Sequence, residues 1–400
     1  MKIVEINTVC DTGSTGRIAA NVCRMLTERG HDTYFAYGRG GHPNDINGYK
    51  IGNRLDFLLH VFRNFFMGQS GFGSILVTRR LLKWLDDISP DILHIHNLHG
   101  FYINIEMLFK YIKEQDIKVV WTLHDCWSFT GQCAHYDYVE CEKWKTGCYN
   151  CPIFRSNYPY SLFCDNSRKN YQRKKEAFNN VKNMVIVTPS KWLARQVRES
   201  YLGSYETKVI NNGIDNQKFR LRNTELDWNQ SKVYLLAVAN VWTKEKGLSH
   251  LYQIMELLSN RYCLILVGLS KSQCRDAKKR LPDRVIAVTH TNNVDELVEY
   301  YQMADVYVNP TLEDTFPTTN IEALACGTPV VTFDTGGSPE IIDKNCGKVV
   351  AKEDIMAMVE AIVQMTPKTK DTINACVSRS MLYNKDERFA EYVKLIETLK

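Results

Sequence analysis

The sequence contains no apolar run approaching the roughly 20 residues that a membrane-spanning helix requires, so no spanning segment is expected. The opening MKIVEIN leads straight into an alternating strand rather than the apolar core of a signal peptide, and secretion is not expected either. Charge of one sign is also scarce: 50 Lys and Arg against 45 Asp and Glu leave a net +5 over 400 residues. So small a balance argues against a dedicated nucleic-acid binder and leaves phosphate-bearing substrates or anionic lipid compatible. Internal repeats and low-complexity tracts are missing, which removes repeat arrays and biased disordered segments. Cysteine is not scarce, at 13 residues, but many stand singly inside apolar segments, as Cys23, Cys263 and Cys326 do. That usage fits a reducing, cytoplasmic setting better than a disulfide framework.

What is present is the balance of a globular protein, 44% hydrophobic and 24% charged, long enough for two domains with a cleft between them. Apolar runs alternate with helical patterns from the start. KIVEIN is followed by a helix expected over about Gly16–Arg29, stopped by Gly30, and then by DTYFAY. DILHIH, KVVWTL and MVIVTP continue the rhythm, which closes near KVINNGID. A second series runs through VYLLAVAN, YCLILVG, RVIAVTH, DVYVNP and PVVTFD. Such strands joined by helical crossovers predict α/β architecture, two doubly wound parallel sheets with ligands at the carboxyl ends of the strands. The expected division is 1–215 and 216–383, with a boundary near 215–230. An amphipathic helix over 384–400 is expected to pack back toward the first domain through Phe389, Tyr392, Val393 and Ile396.

Three segments carry candidate chemistry. Asp11-Thr-Gly13-Ser-Thr-Gly16-Arg17 joins the first strand to its helix and aims backbone N–H groups at a small anion. With only two glycines it is equally readable as a tight turn. Asn240-Val-Trp-Thr-Lys244-Glu-Lys246-Gly247 enters a helix after a buried strand, and either lysine can neutralise phosphate; a solvated helix entry is the plainer reading. The third, from Asn309 to Val331, brackets a strand-to-helix loop with Glu313, Asp314 and Glu322. Carboxylates on such a loop and on the first turn of its helix can accept hydrogen bonds from the vicinal hydroxyls of a ribose or hexose. Helix capping is the structural alternative for Asp314.

The third segment resembles that of the retaining glycosyltransferases of family 4, which have the GT-B fold of two Rossmann-like domains, and the resemblance extends over nearly the whole chain. The family pattern of two acids separated by seven residues, then Ala, a small residue, Cys-Gly and Pro-Val-Val, matches Asp314 to Glu322 and the run from Ala323 to Val331. The resemblance implies that Glu322 holds the nucleotide ribose, Asp314 or its neighbour Glu313 contacts the donor sugar beside Phe316, and Lys246 binds the diphosphate. It also places Asn240, the Gly336-Gly337 loop and the first glycine loop (Gly13, Gly16, Arg17) near the donor. The family's usual Arg before the lysine is absent from Asn240-Val241-Trp242, leaving Arg17 or Lys244 to supply that charge. His124 matches a family histidine lining the donor and acceptor pocket, and His96, Asn97, His99 and Asp125 are expected at an acceptor rim. A metal reading of His94 and His96 is set aside because no carboxylate follows at regular spacing. The implied reaction retains configuration, needs no divalent metal, and depends on positioning and electrostatics.

An insertion follows His124, carrying Cys126, Cys133, Cys141, Cys148, Cys151 and Cys164. Cys148 and Cys151 form a Cys-x-x-Cys knuckle, so a structural zinc on Cys133, Cys141, Cys148 and Cys151 is one expectation; two disulfides or unligated thiols are the others. The apolar, basic-flanked stretch Arg54–Met67, with the basic cluster Arg168–Lys175, can touch a lipid surface or form a core helix. The resemblance favours a lipid-linked saccharide acceptor and a peripheral position at the inner face of a bacterial membrane. Two rivals stand beside this reading: another GT-B-like enzyme such as an epimerase or phosphorylase, and a non-catalytic sugar-nucleotide-binding protein.

Overall fold

Strands that are apolar along their whole length need cover on both faces, and the computed structural model provides it in two units. The structure describes residues 1–222, 229 and 231–399. One unit comprises Met1–Asn211 with Arg388–Lys400, the other Asn212–Glu387. Of the stretch 215–230 in which the boundary is expected, residues 223–228 and 230 lie outside the described residues.

The first unit holds β1 (Lys2–Val9), β2 (Asp32–Arg39), β3 (Gly48–Lys50), β4 (Ile92–Ile95), β5 (Lys118–Thr122), β6 (Met184–Thr188) and β7 (Glu206–Val209). They form one parallel sheet in the order β3-β2-β1-β4-β5-β6-β7. The helix after β1 runs Gly13–Glu28, three residues earlier than expected, because Asp11 and Gly13 complete the turn at positive φ, 53° and 65°. It stops before Gly30, which takes the left-handed conformation that glycine favours. The last helix, Lys385–Thr398, buries Phe389, Tyr392, Val393 and Ile396 against Ile3, Ile92, Val120 and Val187 of this sheet. Burial of such side chains contributes about 1.5–3 kcal/mol each, enough to fix the chain terminus on the sheet.

The second unit holds β8 (Val233–Val238), β9 (Tyr262–Val267), β10 (Val285–Val288), β11 (Val306–Asn309), β12 (Val330–Phe333) and β13 (Gly347–Val350), parallel throughout, in the order β10-β9-β8-β11-β12-β13. In each sheet the chain starts centrally, adds strands to one side and then crosses to the other. The loops leaving β1 and β4, and those leaving β8 and β11, therefore diverge and open a crevice at the carboxyl ends, where ligands bind in doubly wound sheets. β3, β7 and β13 escape the sequence reading because each has three or four residues and is partly exposed.

Candidate functional site

At the second unit's switch point the loops after β8, β11 and β12 are bound to one another through backbone. Leu312 N–H donates to the Glu245 carbonyl at 2.8 Å, Thr335 Oγ1 donates to the Thr311 carbonyl at 2.9 Å, and Gly337 N–H to the Asp314 carbonyl at 3.2 Å. Two glycines make the approach possible. A Cβ at Gly247 would fall on the Pro310 carbonyl and one at Gly336 on the Asp314 carbonyl, and both residues have positive φ.

On this frame Lys246 Nζ donates to Asp314 Oδ2 at 2.9 Å. Burial disfavours the lysine's charge, but Asp314 foremost, then Glu313 and Glu245, outweigh it and raise its pKa. Asp314 is no helix cap: the helix Thr318–Ala325 starts after Pro317 without a side-chain cap, and Asp314 Oδ1 accepts instead from Phe316 N–H at 3.2 Å. Glu322 stands on the second turn of that helix, not the first as expected, and accepts from Tyr301 Oη at 3.0 Å. The Phe316 ring, expected beside the donor, is buried in the core against Tyr383, so the residue offers the loop its N–H. Asn240 and Lys244 are exposed on the loop after β8.

The first unit's switch point holds a feature that the sequence reading missed. Parallel register sets Glu5 of β1 opposite His94 of β4. Its fully buried carboxylate lies 3.0 Å from His94 Nδ1 through Oε1 and 3.0 Å from His96 Nε2 through Oε2. His96 Nδ1 in turn lies 3.0 Å from His124 Nε2, and His94 Nε2 lies 2.9 Å from Thr122 Oγ1. Among the described residues, Glu5, His94 and His96 form the group of three metal-type donors drawn within 4.8 Å of one another. Every nitrogen of the two imidazoles already has a hydrogen-bond partner, and the arrangement reads as a relay that ends on His124.

Burial raises the Glu5 pKa against the opposing pull of His96, and burial pushes His94 and His96 down to about 3 and His124 to about 4. With Glu5 ionised, His94 Nδ1–H and His96 Nε2–H both donate to it. His96 Nδ1 then accepts from His124 Nε2–H, which fixes His124 in the tautomer whose Nδ1 carries a lone pair. The expectation that His96 lies on an acceptor rim is corrected here: at 1% exposure it lies inside and backs His124. The carboxylate thought to be missing comes from the neighbouring strand.

His99 and Asp125 pair at 2.6 Å, and Asp125 also accepts from Trp127 N–H at 2.8 Å. Burial alone would raise the Asp125 pKa, but the charge and hydrogen bond of His99, with His135, hold it down at about 2. His99 Nδ1 lies 3.3 Å from the Tyr158 hydroxyl, and the Asn97 carbonyl accepts from Thr8 and Tyr102. In the first glycine loop, Gly16 approaches Val9 so closely that a Cβ would meet its carbonyl at 3.1 Å. Gly13 and Arg17 are exposed, with Arg17 Nε donating to the Gly13 carbonyl at 3.2 Å. The buried-side cation of this helix, Arg24, is held by Asp11 and Asp45. A concavity of about 670 Å³ opens at the amino ends of β5, β6 and β7, away from these loops.

The helix Arg54–Met67 is not a core helix. Leu55, Leu58, Leu59, Phe62, Phe66 and Met67 are exposed, Phe62 at 62%, and Phe66 stacks on exposed Phe163 at 5.1 Å. No helix among the described residues is long and apolar enough to cross a membrane. The four cysteines expected to bind zinc line one small cavity.

Residues 15–218 match the profile described as Glycosyltransferase Family 4, and residues 232–367 that described as Glycosyl transferases group 1. A protein of Escherichia coli (strain K12) named as a colanic acid biosynthesis glycosyl transferase, WcaC, is 25% identical over 378 residues, covering 90% of each chain. Solved structures of the same fold include sucrose-phosphate synthase from Thermosynechococcus elongatus, with TM-score 0.72, 16% identity, and coverage of 100% of this chain and 98% of the other. Anabaena HepE in complex with UDP is another, with TM-score 0.66, 12% identity and full coverage of both chains. With its two parallel α/β sheets in GT-B form and a family match over more than half its length, the chain belongs to glycosyltransferase family 4.

Proposed function

We propose that the chain moves a sugar, with retention of anomeric configuration, from a UDP- or GDP-sugar to a lipid-linked saccharide in bacterial capsule, exopolysaccharide or lipopolysaccharide synthesis. The observation that carries this reading is the Lys246–Asp314 pair at the second unit's switch point, with Glu322 on the helix after it. A bound diphosphate takes Lys246 as its counter-charge and releases Asp314, or with it Glu313, to accept from hydroxyls of the donor sugar. Glu322 accepts from the ribose. The bond from the anomeric carbon to the diphosphate oxygen breaks, the acceptor oxygen bonds to that carbon on the same face, and its proton passes to the departing diphosphate. Lys246 and the Gly336 N–H meet the charge that develops there, so no step calls on a metal.

The HepE complex with UDP and the name of the Escherichia coli relative support the donor class and the pathway class. The exposed apolar face of Arg54–Met67, continued by Phe163, together with exposed Arg168, Lys169 and Lys175 on the helix Ser167–Phe178, supports an acceptor presented on an anionic bilayer.

The test is nucleoside diphosphate release from a panel of UDP- and GDP-sugars, with and without lipid-linked acceptor. Release from one donor that requires acceptor and is lost in Glu322→Ala supports the proposal. Tight donor binding without release under any acceptor would make the chain a binding protein. The Leu59→Ser/Phe62→Ser double variant should partition onto anionic vesicles about tenfold less than wild type, since two large apolar side chains leave the interface. Unchanged partition would detach the apolar face from the acceptor.

A further inference from the structure

The insertion between β5 and the helix Ser167–Phe178 contributes no strand among the described residues. Its regular structure is three 3₁₀ turns, Trp127–Phe129, Asp137–Val139 and Lys143–Lys145, joined by loop. A segment with so few backbone ladders needs another source of rigidity. Part of it is aromatic: Tyr136 stacks on Trp144 at 5.1 Å, and Phe129 packs on Trp144 at 5.3 Å.

The rest points to an ion. Cys133, Cys141, Cys148 and Cys151 surround a cavity of about 20 Å³, room for a single water-sized occupant. Cys148 Sγ accepts from Gly131 N–H at 3.1 Å, and Cys151 Sγ from the backbone N–H of Ile153. Beside them Lys174 is buried at 0% exposure. Its ammonium donates to the carbonyls of Trp127 at 2.7 Å and Thr130 at 3.2 Å and lies 3.5 Å from the centre of the Trp127 ring. Burial is the foremost influence on it and lowers its pKa to about 7, while Cys133 and Cys148, ahead of Asp125, stand near enough to oppose that. A buried ammonium needs a negative partner.

We propose that Cys133, Cys141, Cys148 and Cys151 bind one structural zinc ion as thiolates, with Lys174 as the buried counter-cation. Four thiolates around Zn²⁺ leave a net charge of −2, which a lysine ammonium and two N–H···S bonds offset. A pair of neutral disulfides gives Lys174 no such role. The sulfurs stand around the cavity without being drawn within 4.8 Å of one another as a group, so binding at the usual Zn–S distance of about 2.3 Å involves rotation of cysteine side chains into the cavity. The ion would brace the wall that carries His99: Cys126 N–H donates to the Ala134 carbonyl, Ala134 N–H to the Tyr158 carbonyl, and the Tyr158 hydroxyl meets His99.

The experiment is metal analysis of the full chain purified under reducing conditions without added metal. One zinc per chain is expected, released as a mercurial titrates four thiols, and the cobalt-substituted protein should show the visible bands of tetrahedral thiolate coordination. Cys148→Ser and Cys151→Ser should lose most of the metal, while Cys164→Ser, whose exposed thiol lies outside the cavity, should keep it. If the first two variants do not fold, wild-type stoichiometry and the cobalt spectrum decide. Folded wild-type protein without zinc, two disulfides in the insertion by mass spectrometry, or zinc retained in Cys148→Ser and Cys151→Ser would each overturn the assignment.

Discussion

The two switch points are the same topological device filled with opposite chemistry. In the second unit the polar groups are charged and partly open: Lys246 stays a cation because Asp314 is beside it, and both side chains retain solvent contact. In the first unit they are sealed in, and burial drives His94 and His96 to neutrality around one carboxylate. An exposed ion pair contributes little to stability and is easily exchanged for a charged ligand. A buried hydrogen-bonded chain is costly to disturb and holds one geometry. On the proposed function the second unit binds charge and the first orients a side chain, His124.

Breaking the binding half should have the largest effect. Glu322→Ala is expected to lower kcat/KM roughly 100-fold, the scale of losing a charged hydrogen bond to substrate with its partner left unpaired. Thermal unfolding should fall by a few degrees at most: Glu322 is only half-buried, but the buried Tyr301 hydroxyl loses its acceptor. A loss of activity that merely tracked a fall in Tm would contradict the assignment.

Breaking the orienting half should cost less. Glu5→Gln keeps the shape but offers one acceptor and one donor where two N–H groups now converge. We expect kcat to fall on the order of 10-fold with donor affinity unchanged, as for other groups that act through a neighbour. Nitrogen NMR of the imidazoles should show the His124 tautomer redistributed, a change that a purely structural role of Glu5 would not produce. Glu5 and Glu322 act in different units, so their effects should be additive.

The contrast between the units also explains which residues are legible in the sequence. The acids at 313, 314 and 322 lie within one loop and one helix, so sequence spacing alone brings them together; only the helix start differs from expectation, by enough to move Glu322 to the second turn. Glu5 and His94 lie 89 residues apart and meet only through the β1–β4 register. The available signal is a charged residue in the middle of KIVEINTV, flanked by buried apolar positions. His96 reads as a surface residue for the same reason, since the strand that covers it is remote in sequence. The helix Arg54–Met67 keeps two readings open because its composition is that of a core helix, and only the fold shows its apolar face uncovered.

A further expected effect separates the units by pH. His60 and His124 are held down to about 4, and His94 and His96 to about 3, against 6.5 when unfolded. As pH falls below 6.5 the unfolded chain binds protons that the folded chain refuses. Stability is therefore full above 6.5 and declines below it, by up to about 1.4 kcal/mol per pH unit for each histidine. Glu5, raised by burial, accepts a proton more readily when folded and offsets part of this. Denaturant midpoints measured between pH 7 and 5 should decline, and all four histidines belong to the first unit, so a probe there should report the loss before one in the second.

The most direct test of the central claim compares the binding of UDP and GDP with that of uridine and guanosine by calorimetry, in wild type and Lys246→Met. One diphosphate should bind wild type, Lys246→Met should weaken it by roughly 100-fold, the scale of one charge-assisted contact, and the matching nucleoside should be unaffected. Equal loss for nucleoside and diphosphate, or no binding of either diphosphate to wild type, would contradict a donor site at the second unit's switch point.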